Sequence, residues 1–175
     1  TPLYSSAASD VYKRQEEVRN VEFEDKDGRV VTLNYKNEND MPNGNHVLAI
    51  PVYNSQLLFT HHQHRGIEFP GGKVEINEQS KEAVIRELYE ETGAIAKFIY
   101  YFAQYRIKTE HDEPFIKDVY FVEVSHLEYV DTYYETLGPC LYHHINDIPL
   151  NKRSFLINDK AILHCLERVR ALGFY

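Results

Sequence analysis

The chain has 175 residues, 43% of them hydrophobic and 26% charged, with a formal net charge of −8. That length suits one domain with its own core, so neither a disulfide staple nor a structural metal is required. The acidic balance argues against a general binder of nucleic-acid backbones, but not against a binder of phosphates whose carboxylates a divalent cation screens.

Thr1–Gln15 shows no periodicity and reads as a non-native or disordered N-terminal segment, which leaves residues 16–175 as one domain. Val18–Glu24 and Arg29–Tyr35 read as two strands around Asp27-Gly28, a hairpin turn signal. The polar stretch Lys36–Asn45, with Pro42 and Asn43-Gly44, reads as a loop. His46–Tyr53 and Gln56–Thr60 flank Asn54-Ser55 as a second hairpin, and Ile67–Val74 reads as a short strand broken at Pro70-Gly71-Gly72. A helix is predicted from Ser80 to Thr92, capped by Ser80 or Asn77 and stopped by Gly93. Ala96–Lys108 and Phe115–Val124 are long strands separated by a charged turn, Thr109–Pro114, and Cys140–Ile145 is a weaker one. Asn158–Leu172 carries Ile162, Leu163, Leu166, Val169 and Leu172 at helical spacing and closes the chain as an amphipathic helix.

No apolar run is long enough to cross a bilayer, and no charged segment followed by an apolar one marks a leader, so a cytoplasmic location is expected. Cys140 and Cys165 belong to no CxxC pair and read as buried thiols. His61, His62, His64, His143 and His144 lack the HExxH spacing of a zinc site and read as loop and strand-edge residues.

The Ser80–Thr92 helix carries the chemistry. At about 100° per residue, Val84, Ile85, Leu88, Tyr89 and Thr92 fall on one side and Glu87, Glu90 and Glu91 on the other. Three neighbouring anions repel, and they stand in the C-terminal half, where the helix dipole also disfavours them. A hard divalent cation removes that conflict by taking carboxylate oxygens. Gly71-Gly72 allow close backbone approach to a metal or phosphate, while Lys73 and Arg86 bring positive charge and Glu78 stands within reach of Arg86. Arg65 and Lys73 are candidates for phosphate contact. Phe69 either stacks on a base or packs in the core, and Asn158 with Asp159 are candidates for reading base edges.

Gly72, Glu78, Arg86, Glu87, Leu88, Glu90, Glu91, Gly93 and Ala94 match, without a gap, the Nudix signature Gly-x5-Glu-x7-Arg-Glu-U-x-Glu-Glu-x-Gly-U, where U is hydrophobic. The chain therefore resembles the Nudix hydrolases. Glu68–Lys73 is similar to the MutT-type members, and Thr60–Glu75 and Tyr133–Pro139 to their YtkD-type branch, with the likeness running from about residue 45 to the C-terminus. The resemblance implies an α/β fold, the Nudix α/β/α sandwich of a mixed sheet flanked by helices. It implies that Glu87, Glu90, Glu91 and the Gly71 carbonyl hold Mg²⁺, for which Mn²⁺ is the alternative, and that Arg86 and Glu78 orient these ligands. Glu135 matches a MutT-type glutamate, as a further metal ligand or as the base; Glu87 is the other candidate base. The activity so implied is Mg²⁺-dependent hydrolysis of nucleoside triphosphates, 8-oxo-dGTP among them, to the monophosphate. Alternatives are removal of a 5′-triphosphate from RNA ends and a non-catalytic nucleotide sensor. Oligomeric state is not legible.

Overall fold

The computed structural model describes residues 20–37, 39–109 and 113–175. The Thr1–Gln15 segment, the first two residues of the predicted first strand and the centre of the 109–114 turn lie outside the described residues.

Strands β1 (Asn20–Glu24) and β2 (Val30–Tyr35) pair antiparallel across the expected turn, which Asp25 closes by accepting the backbone N–H groups of Asp27 and Arg29. Strands β3 (His46–Tyr53) and β4 (Gln56–His62) form the second hairpin. Asn54 and Ser55 both have positive φ, 49° and 61°, as a two-residue turn matched to strand twist demands. The 66–74 region forms two short strands, β5 (Gly66–Glu68) and β6 (Gly71–Lys73); Gly71 and Gly72 thus lie inside a strand rather than breaking one. Long strands β7 (Ala94–Ile107) and β8 (Phe115–Leu127) follow helix α1 (Ser80–Thr92), and then β9 (Thr136–Tyr142) and helix α2 (Lys160–Ala171). The strand expected at 140–145 runs instead from Thr136 to Tyr142 and takes in Gly138 and Pro139; Pro139 sits opposite Thr60, and β9 pairs only with β4, an edge position that tolerates proline.

The sheet runs β1-β2-β7-β8-β3-β4-β5, with β6 on β3 and β9 on β4. β3 pairs parallel with β8, and the remaining ladders are antiparallel, so the sheet is mixed. β3 shares its other edge: β6 takes His46–Leu48 and β4 takes only Val52–Tyr53. That fork seats the β6 glycines beside α1. Alternate residues of β3 feed two cores. Val47 and Ala49 join Ala83, Val84 and Leu88 of α1, whereas Leu48 and Ile50 join Ile162, Leu166 and Val169 of α2. Helix, sheet and helix therefore stack as the expected α/β/α sandwich.

Three helix details differ from the sequence reading. The N-cap of α1 is Gln79, whose backbone N–H donates to Glu82; Ser80 is already helical, and its buried hydroxyl donates to Asp118 Oδ2 at 2.7 Å. Asn77 takes a positive φ of 65° in the preceding turn. The buried stripe is Ser80, Ala83, Val84, Leu88 and Thr92, while Ile85 and Tyr89 are 42% and 38% exposed. The helix is turned toward Ala83, and this rotation carries Glu87 and Glu91 to the border of the buried face. Gly93 ends α1 with φ of 70° and donates its N–H to Tyr89 O, as expected of a glycine cap. α2 begins at Lys160, capped by Asp159 Oδ1, so Asn158 falls in the 3₁₀ turn Phe155–Asn158 before it.

Candidate active site

The three α1 carboxylates occupy different surroundings. Glu90 is exposed, Glu87 is half-buried, and Glu91 is the most enclosed. Glu91 Oε2 accepts the Gly71 N–H at 3.1 Å. Burial pushes the Glu91 pKa up to about 8, the Gly71 bond offsets part of that, and the nearby Glu87 and Glu68 add to it. Glu87 is also raised, by burial, against the pull of Arg86. Gly72 lies directly over the Glu87 carboxylate, so a Cβ at position 72 would strike both of its oxygens. Only a glycine permits this approach.

Arg86 is the hub. Its Nε and Nη2 donate to the two oxygens of Glu78 at 2.7 and 3.0 Å, Nη1 donates to Glu87 at 2.9 Å and Glu90 at 3.2 Å, and Nη2 also reaches the Lys73 carbonyl at 3.0 Å. The fork on Glu78 holds that carboxyl below its ordinary pKa. The predicted Glu78–Arg86 contact is therefore present, and it ties α1 to β6 through Lys73, whose side chain is exposed at the rim.

Beside Gly71 a small cavity of about 80 Å³ is lined by Arg65, Glu68 and Phe69 among others. Glu68 is 5% exposed and holds Arg65 by Nε at 3.2 Å and Nη2 at 2.7 Å, while the Ser154 hydroxyl donates to it at 2.7 Å. Phe69, also 5% exposed, packs on Phe59 with ring centres 4.5 Å apart and belongs to the core while also lining the cavity. Tyr105, Lys117, Leu156 and Asp159 also line an adjoining cleft of about 740 Å³, where Phe115, Phe155 and Asn158 stand. The Lys117 ammonium lies 5.3 Å from the Phe115 ring centre and 5.9 Å from that of Tyr105. Burial lowers its pKa, and among the described residues no carboxylate lies within ion-pair distance of it.

Glu135 is exposed just before β9; its carbonyl accepts the Gln63 N–H, and its charge acts on His62 and Arg65. Thr60 and Thr136 donate their hydroxyls to the Glu91 carbonyl, so β4 and β9 fasten the end of α1 and bring the Glu135 segment to the same side. Glu68, Lys117 and His62 were missed on the sequence. The signal for the first two was a charge inside an apolar strand, Glu68 within Ile67–Pro70 and Lys117 within Phe115–Val124. His62, expected at a loop or strand edge, is instead buried at the end of β4.

The family model of the NUDIX domain matches residues 42–140, more than half of the chain. The chain belongs to the Nudix family. It is 35% identical over 155 residues to YtkD of Bacillus subtilis, to which 8-oxo-dGTP diphosphatase activity is ascribed; the match covers 87% of this chain and 98% of YtkD. The crystal structure of the Bacillus subtilis pyrophosphohydrolase BsRppH, in a point-mutant form, superposes with a TM-score of 0.78 at 34% identity, covering 88% of this chain and 98% of that one. A Nudix-family hydrolase from Clostridium perfringens shares the fold, with a TM-score of 0.55 at 17% identity over 76% of this chain and 99% of that one. The protein is thus a Nudix hydrolase acting on nucleotide-linked phosphates.

Nudix enzymes generally use a divalent metal, usually Mg²⁺. Among the described residues of this Nudix chain, no three His, Cys, Asp or Glu side chains gather into a ready metal cage, and Arg86 Nη1 bonds both Glu87 and Glu90. The donor set nonetheless fits such an ion. Glu91 is a largely enclosed carboxylate whose bonded partner is one backbone amide, Glu87 lies close enough to raise its pKa, and the side-chain-free Gly72 brings the β6 backbone directly against the Glu87 carboxylate. Among the described residues no helix is long and apolar enough to cross a membrane.

Proposed function

We propose that this protein hydrolyses the phosphate chain of nucleoside triphosphates, 8-oxo-dGTP among them, to the monophosphate in a Mg²⁺-dependent reaction. The observation that carries the reading is the enclosed Glu91 carboxylate on the Gly71 N–H, with Glu87 beside it and Gly71 and Arg65 lining a cavity that shares Tyr105 and Lys117 with an aromatic-walled cleft. Glu87, Glu90, Glu91 and the Gly71 carbonyl would hold Mg²⁺, with Glu135 as a further ligand, and Mn²⁺ would suit the same oxygens. The bound ion supplies charge neutralisation and a more acidic water.

The chain's own residues do the rest. Arg86 and Glu78 keep the α1 carboxylates oriented. Arg65 and Lys73 offer N–H groups to phosphate oxygens. Gly72 lets the β6 backbone stand against Glu87 without displacing its carboxylate. Glu135 or Glu87 accepts the proton of the attacking water as the new P–O bond forms and the anhydride P–O bond breaks, its electron pair going to the departing phosphate. Phe115, Tyr105 and Phe155 present ring faces suited to a base, with Asn158 and Asp159 at the cleft wall.

The 34% identity to BsRppH favours a second reading, attack on the 5′-triphosphate of RNA. One panel separates the two: canonical NTPs and dNTPs, 8-oxo-dGTP and a short 5′-triphosphorylated RNA, each with Mg²⁺, with phosphate and pyrophosphate resolved. Faster turnover of free nucleotides supports the first reading, and faster attack on the RNA replaces it with the second. If all remain intact, both are abandoned.

A further inference from the structure

The loop joining β4 to β5 is held by a histidine that touches none of the candidate catalytic carboxylates by hydrogen bond. His62 is 7% exposed, and its Nδ1 accepts the backbone N–H groups of both His64 and Arg65, each at 3.1 Å. A ring nitrogen that accepts two N–H groups carries its lone pair, so the imidazole is neutral with its proton on Nε2. Burial and the Arg65 charge keep the His62 pKa below the ordinary histidine value, in the same sense. The third loop amide, Gln63 N–H, donates to Glu135 O at 3.2 Å. Every backbone N–H from 63 to 65 is therefore spoken for.

That loop delivers Arg65. The guanidinium is fixed at its far end by Glu68, which Ser154 fixes in turn, and the backbone at its near end is fixed by His62. Glu68 takes Nε and Nη2, which leaves Arg65 with further N–H groups beside the cavity it shares with Gly71. An arginine clamped at both ends loses little further side-chain freedom when it grips an anion, whereas one on a free loop loses a rotamer-rich chain's entropy on binding.

We propose that His62 is a positioning residue for Arg65, its Nδ1 fixing the 63–65 loop so that the guanidinium meets the substrate's phosphate chain. The inference rests on the phosphate-hydrolysis reading above. It predicts a loss in substrate binding rather than in the chemical step, because His62 reaches no reacting atom.

The test is steady-state kinetics on one nucleoside triphosphate with Mg²⁺ for full-length wild type, His62→Leu, His62→Asn, Arg65→Ala and the His62→Leu/Arg65→Ala double variant. Leucine fills the space without an acceptor, whereas asparagine Oδ1 replaces Nδ1 as the acceptor of turn amides. His62→Leu is expected to raise KM roughly tenfold with kcat within about twofold, and His62→Asn to recover most of the loss. In the Arg65→Ala background His62→Leu is expected to add nothing to KM. Should His62→Leu fail to fold, His62→Gln, whose acceptor lies one bond farther out, is expected to show the same rise in KM. An unchanged KM in a folded acceptor-less variant, a fall confined to kcat, or full additivity with Arg65→Ala overturns the proposal while the function reading stands. A wild type without turnover removes that reading and this inference with it.

Discussion

Glu91 stands in the last turn of α1, where burial, the helix dipole and the neighbouring Glu87 all oppose its charge. In the metal-free chain its pKa is near 8, against 4.5 for an ordinary glutamate. The folded chain then binds the proton more tightly than the unfolded one. Its contribution to stability is fully present below about pH 4.5 and is lost as pH rises through about 8, at up to about 1.4 kcal/mol per pH unit. Melting temperatures in chelator across that range are expected to fall with pH in wild type and to stay flatter in Glu91→Gln, and Mg²⁺ is expected to restore the alkaline loss in wild type alone. Lys117 poses the opposite problem, a half-buried ammonium with aromatic rings beside it and no ion pair among the described residues. Lys117→Met keeps the length and removes the charge, so it is expected to leave the melting temperature unchanged or higher while raising KM for nucleotides roughly tenfold. Differential scanning fluorimetry and initial rates check both halves. Neither residue's burial was legible in the sequence. The signature placed Glu87, Glu90 and Glu91 together, but the depth of each depends on how far α1 is rotated on the sheet, which the Ile85 and Tyr89 side chains obscured by being apolar and yet exposed.

β6 is three residues long, and its seat is set by close approach. At Gly71 a Cβ would strike the Val47 carbonyl of β3, and at Gly72 it would strike Glu87. The two alanine variants are therefore expected to fail differently. Gly71→Ala presses on backbone that cannot yield and should lower stability by about 2 kcal/mol or more. Gly72→Ala presses on a side chain, so it should fold with a melting temperature near wild type yet lose roughly a hundredfold in kcat as Glu87 is displaced. Chemical denaturation beside kinetics separates them. The bounds of α1 and both hairpin turns were legible because local chemistry sets them: Gly93 at positive φ, Asp25 closing one turn, Asn54-Ser55 making the other. β9 and the short β5 and β6 were not, because Pro139, Gly71 and Gly72 break strands in isolation and join them here through edge pairing and close packing.

At the scale of the whole molecule, the site exists because distant segments meet. β3 and β8 lie parallel, seventy-one residues apart at His46 and Lys117, and the fork in the sheet at β3 brings β6 over α1. Ser154, carried by the segment between β9 and α2, reaches back to Glu68. No local pattern announces such pairings, so the strand and helix pattern suggests a sheet covered by helices, and the family resemblance supplies the particular sandwich. The central claim, that the α1 carboxylates serve metal-assisted hydrolysis of a nucleotide's phosphate chain, is tested most directly by one assay. Release of nucleoside monophosphate from nucleoside triphosphates is measured with Mg²⁺ and with chelator, for wild type and Glu91→Gln. Turnover by wild type that requires Mg²⁺ and falls at least about a hundredfold in a fully folded Glu91→Gln is the predicted result. Wild type that leaves every triphosphate intact in Mg²⁺, or a Glu91→Gln variant that turns over as fast as wild type, would contradict it.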